Sequence, residues 1–178
     1  MTTTDISATA SSVARADRRE PPLIAEERSM LEGWLDYHRE TLALKCEGLT
    51  TAQLREASTP PSDLSLLGLV RHMTDVERNW FRRVLSAEDA PPLYWSTEAP
   101  DGDFEVADAD PQESMAAWRA EITLAREAAA GRTLDDTASR RDETFSLRWI
   151  YIHMIEEYAR HNGHADLIRQ RIDGATGE

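Results

Sequence analysis

Apolar residues recur at three- and four-residue intervals in four separate stretches of this chain, the spacing of amphipathic helices that bury one face. From Leu23 to about Cys46 the stripe is Leu31, Trp34, Leu35, His38 and Leu42, and Gly48 ends it. A second helix is predicted from about Ser65 to Leu85, with Leu66, Leu69, Met73, Val76, Trp80 and Val84 on one face and arginines behind them. Asp110-Pro111-Gln112-Glu113 places a cap, a first-turn proline and an early carboxylate where a helix needs them. It opens a third stripe of Met115, Trp118, Ile122, Ala125 and Ala129 that stops at Gly131. The fourth begins near Ser146 and reads Leu147, Ile150, Met154, Tyr158, His161, Ala165, Ile168 and Ile172 before Gly174. Between the first two, Thr50-Thr51-Ala52-Gln53 has capping-box spacing for a short helical turn, and Thr59-Pro60-Pro61-Ser62-Asp63 breaks the chain. No stretch alternates apolar and polar residues between turn signals, so no sheet is expected. The predicted class is all-α: a four-helix bundle with long crossover connections.

Residues 1–22 are rich in Thr, Ser and Ala, then charged, and end at Pro21-Pro22; with almost nothing to bury they read as a disordered tail. Residues 23–174 read as a single domain, which suits a chain of 178 residues. The formal charge of -13 argues against nucleic acid and against anionic membrane surfaces as partners. The longest apolar runs, such as Leu64 to Val70, fall far short of the ~20 residues that span a bilayer, and the N-terminus lacks an apolar secretion core, so the expected compartment is the cytoplasm. Nine acidic residues and no Lys or Arg lie between Glu88 and Glu113, a connection that also carries Trp95 and Phe104. Its length fits either a solvated crossover between parallel helices or a functional loop over a pocket. Cys46 is the only cysteine and reads as a packing residue rather than a nucleophile.

The fourth helix breaks the amphipathic rule in one place. At roughly 100° per residue, His161 falls in the middle of the apolar stripe, with Glu157 one turn before it and His153 and His164 at the margin. A carboxylate and an imidazole on a buried face are expensive unless something satisfies both, and a metal ion would do so. A hydrogen bond between them is the plainer alternative. On the second helix His72 stands at the edge of the stripe, beside Leu69 and Val76. Two ligands at i and i+4 plus a third from a facing helix would leave an open coordination position, as catalytic sites do. Two imidazoles and a carboxylate suit Zn, with Ni or Fe as alternatives. Glu156 reads as surface, and His38 as a core or hydrogen-bonded residue that could line the same cavity.

The stretch Leu64-Ser-Leu-Leu-Gly-Leu-Val-Arg-His72-Met, continuing to Val76-Glu77-Arg-Asn-Trp80-Phe81, resembles the DinB-like (YfiT-like) superfamily of metal-binding four-helix bundles. So does His153-Met-Ile-Glu-Glu157-Tyr-Ala-Arg-His161-Asn-Gly-His164. The similarity covers about residues 24–172 and is nearest to the mini-circle or DinB family proteins. It implies a divalent metal held by His72, Glu157 and His161. The commoner version has His at the first position of the last-helix pair and Gln three residues after the second; here Glu157 and His164 stand there. Mycothiol-dependent maleylpyruvate isomerases also use Glu at the first position. The set His72, His161 and His164 stays open beside it, with His153 behind the ligands or at the rim of the site.

Relatives in the superfamily include S-transferases that use mycothiol or bacillithiol. The resemblance therefore implies a metal-dependent enzyme that activates a low-molecular-weight thiol, as co-substrate, against a small electrophilic substrate. Two other readings stand beside it: a metal-dependent hydrolase with a water nucleophile, and a non-enzymatic metal-binding bundle, with a homodimer left open. The sulfoxide synthases built on the same fold need a second catalytic domain, for which this chain has no room.

Overall fold

The computed structural model describes residues 18–176. The expected N-terminal tail lies outside the described residues up to position 17; of its remainder, Pro22 packs against Gly33, where a Cβ would come within 2.9 Å of the proline ring.

Among the described residues the chain is mostly helical, as its periodicity predicts. Helix α1 spans Glu27–Cys46 and α2 Thr51–Arg55, the latter closed by the Thr50/Gln53 capping box. Helix α3 spans Leu66–Glu77, capped by Ser65, and runs on as π-helical turns over Arg78–Leu85. Helix α4, Pro111–Ala129, starts where Asp110 accepts from the amides of Gln112 and Glu113. Strands β1 (Thr137–Arg140) and β2 (Glu143–Ser146) pair as an antiparallel hairpin with Ala138 opposite Phe145. Helix α5, Leu147–Asp173, runs from its Ser146 cap to left-handed Gly174. No helix is long and apolar enough to cross a membrane among these residues.

Arg148 reaches Glu27 at the starts of α5 and α1, and Arg169 donates to the carbonyls of Lys45 and Glu47 at their ends, so these two helices run parallel. Arg28 donates to the Ala129 carbonyl and Arg119 to Glu40, which sets α4 antiparallel to α1. Contacts of His72 with His161 and of Trp80 with His153 set α3 antiparallel to α5. It follows that α3 and α4 run parallel, and residues 86–110 must cross back along α3 before α4 can begin.

The stripes of α4 and α5 are buried as predicted, except that Ile172 is only half-buried. Those of α1 and α3 are buried in part: Leu35 and Leu42, and Leu66, Leu69, Met73 and Val84, lie inside as predicted, while other positions shift. On α1, Arg39 is buried while Trp34 is 43% exposed; on α3, Glu77 and Phe81 face inward while Val76 and Trp80 are half-buried. Two causes act together. The π-helical turns carry more residues per turn, so the inward position moves from Trp80 to Phe81. And Arg39 and Glu77 neutralise each other: Arg39 Nε and Nη2 donate to the two Glu77 oxygens, each at 2.8 Å. Tyr158 Oη donates to Glu77 Oε1 at 2.8 Å and Trp118 Nε1 to Tyr158 Oη at 2.9 Å, so one side chain from each long helix enters a single buried network. The hairpin is a second departure from expectation. Four-residue strands with one apolar side chain each, Ala138 and Phe145, are too short to show a period of two.

Removing one member of a buried pair leaves the other charged and unpaired, which costs about 3–5 kcal/mol. Glu77→Ala is expected to lower stability to urea by that amount, whereas Arg126→Ala, at an exposed pair with Asp36, is expected to shift it by less than about 1 kcal/mol. Equal shifts would mean that the network carries no special share of the fold.

Candidate metal centre

Helices α3 and α5 bring His72, Glu157 and His161 together: one potential ligand atom from each lies within 4.8 Å of the other two. His161 Nε2 is 3.5 Å from Glu157 Oε2. A tetrahedral ion with bonds of about 2.0–2.2 Å holds its ligand atoms about 3.4 Å apart, so the α5 pair already has the required separation. The ring centroids of His72 and His161 are 4.7 Å apart, edge to face. His161 is 8% exposed; burial, with His72, His164 and Arg160 nearby, pushes its pKa down from 6.5 to about 4. A neutral imidazole is the form that ligates a cation. Two nitrogens and one oxygen from two helices make a donor set that fits Zn, Ni or Fe.

The rest of the site comes from the acidic crossover. His72 Nδ1 is 2.7 Å from Asp103 Oδ2, and the Phe104 ring stacks on the His72 ring at 5.2 Å and 22°. Asp103 is 4% exposed. Its own residue type does not mark it out from the other seven acidic residues of the crossover; only the fold reveals that this one is turned inward. Phe104, an aromatic residue in a polar connection, was the available signal.

The other candidates fall into place around this group. His164 Nδ1 faces His161 Nδ1 at 3.4 Å, on the ring nitrogen that does not face Glu157, and His164 is not among the three residues that converge. His153 Nε2 lies 3.6 Å from Glu157 Oε1 and its Nδ1 3.6 Å from Glu156 Oε2, a second potential group that shares Glu157. The His153 ring stacks on Trp149 at 4.9 Å and meets Trp80 at 4.7 Å; Phe145 of the hairpin completes this aromatic wall beside the site. Glu156 is exposed and pairs with Arg160. His38 stands apart from the converging group; Asn162 Nδ2 donates to its carbonyl at 3.0 Å, and burial lowers its pKa. Cys46 is 1% exposed, and burial pushes its thiol up to about 12, so it stays protonated and inert as a nucleophile.

A family model described as mycothiol-S-transferase matches residues 30–174. None of the curated proteins compared with the chain matches it. The match spans both helices of the converging group, the crossover and the hairpin, so the chain belongs to the mycothiol S-transferase family, within the DinB-like (YfiT-like) superfamily.

An unfolded chain protonates His161 near 6.5 and the folded chain near 4, so between these values unfolding takes up a proton and stability falls as pH drops. The lowered His38 acts in the same direction. Metal-free protein is therefore expected to lose stability from about pH 6.5 down to 4. His161→Gln should reduce that slope by nearly one proton per unfolding event, read from denaturation midpoints across the range. An unchanged slope would show that His161 is not held neutral.

Proposed function

We propose that this chain is a divalent-metal-dependent S-transferase that joins a low-molecular-weight thiol of the mycothiol type to a small electrophile. His72, Glu157 and His161 are its metal ligands in this reading. The observation that carries it is the convergence of three ligand atoms from α3 and α5, in a chain whose family is that of the mycothiol S-transferases. The same reading takes the four long helices as the four-helix bundle with long crossovers of the superfamily, and Zn as the first candidate ion, with Ni or Fe as alternatives.

The chemistry such an ion supplies is the acidification of a thiol at its open coordination position, so that a thiolate is present at neutral pH. The chain's own residues do the remainder. Cys46 is buried with a raised pKa, so the sulfur must come from the co-substrate. His153, whose Nε2 is 3.6 Å from Glu157 on the side of the aromatic wall, is an imidazole outside the ligand set that can take the thiol proton. The co-substrate's sulfur then forms a bond to the electrophilic carbon, and where a leaving group departs it takes the electron pair of the broken bond. Trp80, Phe145 and Trp149 offer an apolar wall next to these groups, which suits an electrophile with an apolar or aromatic body.

Elemental analysis of protein prepared without a histidine tag is expected to show about one divalent metal per chain, with Glu157→Gln losing it and His164→Ala keeping it. Loss only in the His164 variant would move the ligand set to His72, His161 and His164. In a screen of electrophiles, product should require added thiol; product without thiol would favour hydrolysis by a water nucleophile. Cys46→Ala should leave thiol transfer unchanged, and its abolition in a folded variant would overturn the assignment of the sulfur to the co-substrate.

A further inference from the structure

The crossover does more than join α3 to α4. It is docked along one face of α3 by four residues at helical spacing, Gly68, Arg71, His72 and Asp75. Gly68 leaves room for Phe104: a Cβ there would stand 3.0 Å from the Phe104 ring. Arg71 donates to the carbonyls of Glu105 and Gly102, at 2.6 and 3.0 Å. Asp75 accepts from the amides of Leu93 and Tyr94, at 2.7 and 2.9 Å. Gly102 passes so near the Tyr94 carbonyl that any Cβ would lie 2.3 Å from it, so only glycine makes the turn that presents the next residue, Asp103, to His72.

Asp103 is the unexplained member of this set. It is 4% exposed, its Oδ2 meets His72 Nδ1 at 2.7 Å, and its Oδ1 is buried with no hydrogen-bond partner among the described residues. A buried carboxylate with one oxygen unsatisfied is costly, and a fold that only needed a crossover could place any neutral residue there. We propose that Asp103 is a positioning residue for the metal centre, holding His72 in the Nδ1–H tautomer and in the ring orientation that turns Nε2 toward Glu157 and His161. This rests on the ligand set proposed above. A carboxylate only accepts, so the shared proton sits on Nδ1 and the Nε2 lone pair is left for a cation. The stack of Phe104 on the face of the same ring removes the remaining rotation. Ligating histidines ordinarily donate their second N–H to such an outer partner, and losing it weakens metal binding about 10–100-fold.

Two readouts test this without reference to activity. In metal-free wild-type protein, long-range proton–nitrogen NMR of His72 above its titration range is expected to show the proton on Nδ1. Asp103→Asn, close to isosteric, should shift His72 toward a tautomer mixture. The same variant should bind Zn(II) or Co(II) about 10–100-fold more weakly in competition titrations, with an altered Co(II) absorption band and unchanged helical circular dichroism. An Nε2–H His72 in the wild type overturns the proposal even if no variant folds. Equal metal affinity and an equal tautomer in Asp103→Asn also overturn it, while leaving the ligand set intact. A wild-type chain that binds no metal overturns the ligand set, and the tautomer of the metal-free protein still decides the part played by Asp103.

Discussion

The site depends on a buried ion pair that is not part of it. Arg39, Glu77, Tyr158 and Trp118 meet at the centre of the molecule, and each comes from a different long helix. Glu77 is fully buried, and its two oxygens accept from Arg39 and Tyr158 only at one relative height and rotation of α1, α3 and α5. An apolar core tolerates small slides, whereas a paired charge in low dielectric does not. Because α3 and α5 are antiparallel, five residues back from Glu77 and three forward from Tyr158 run the same way along the pair, to the level where two imidazole rings meet. His72 and His161 stand there.

This explains which parts of the fold the sequence revealed and which it concealed. The faces of α4 and α5 are mainly apolar, so period alone located Met115 to Ala129 and Leu147 to Ile168 correctly, with Glu121 and His161 buried among them. In α1 and α3 the inward positions include Arg39 and Glu77, which a hydropathy pattern assigns to solvent because it scores each residue without its partner. The π-helical turns add a local change of period that no propensity marks. The hairpin escaped for want of length. Helical spacing singled out Glu157 and His161 on one helix and His72 at the edge of another helix's stripe; the resemblance joined the three into one set, and the fold brings them within reach of one another. Asp103 is a matter of tertiary structure, one of the eight acidic residues of the crossover, with only the neighbouring Phe104 to hint at it.

Seen from α3, the acidic crossover and the core lie on two sides of a single helix. Leu69, Met73 and Glu77 face the interior, while Gly68, Arg71, His72 and Asp75 hold the returning chain. The concentration of carboxylates in the crossover suits that arrangement. Most of them stay in water, where charge costs little, and Arg71 meets backbone carbonyls rather than competing side chains. Only Asp103 goes inside, and it does so where an imidazole can meet it.

The two sides differ in how firmly they are held. The backbone of His72 is placed by the core network, which can be lost only with the fold. Its ring is placed by Asp103 and Phe104, which arrive on a connection fastened by a few polar contacts at the surface of α3. Segments secured in that way open at a lower free energy than a packed core. The His72 ring can therefore lose its orientation while the helices remain in place. The convergence of His72 with Glu157 and His161 depends on the docking of residues 93–105 as much as on the helices that carry the three residues.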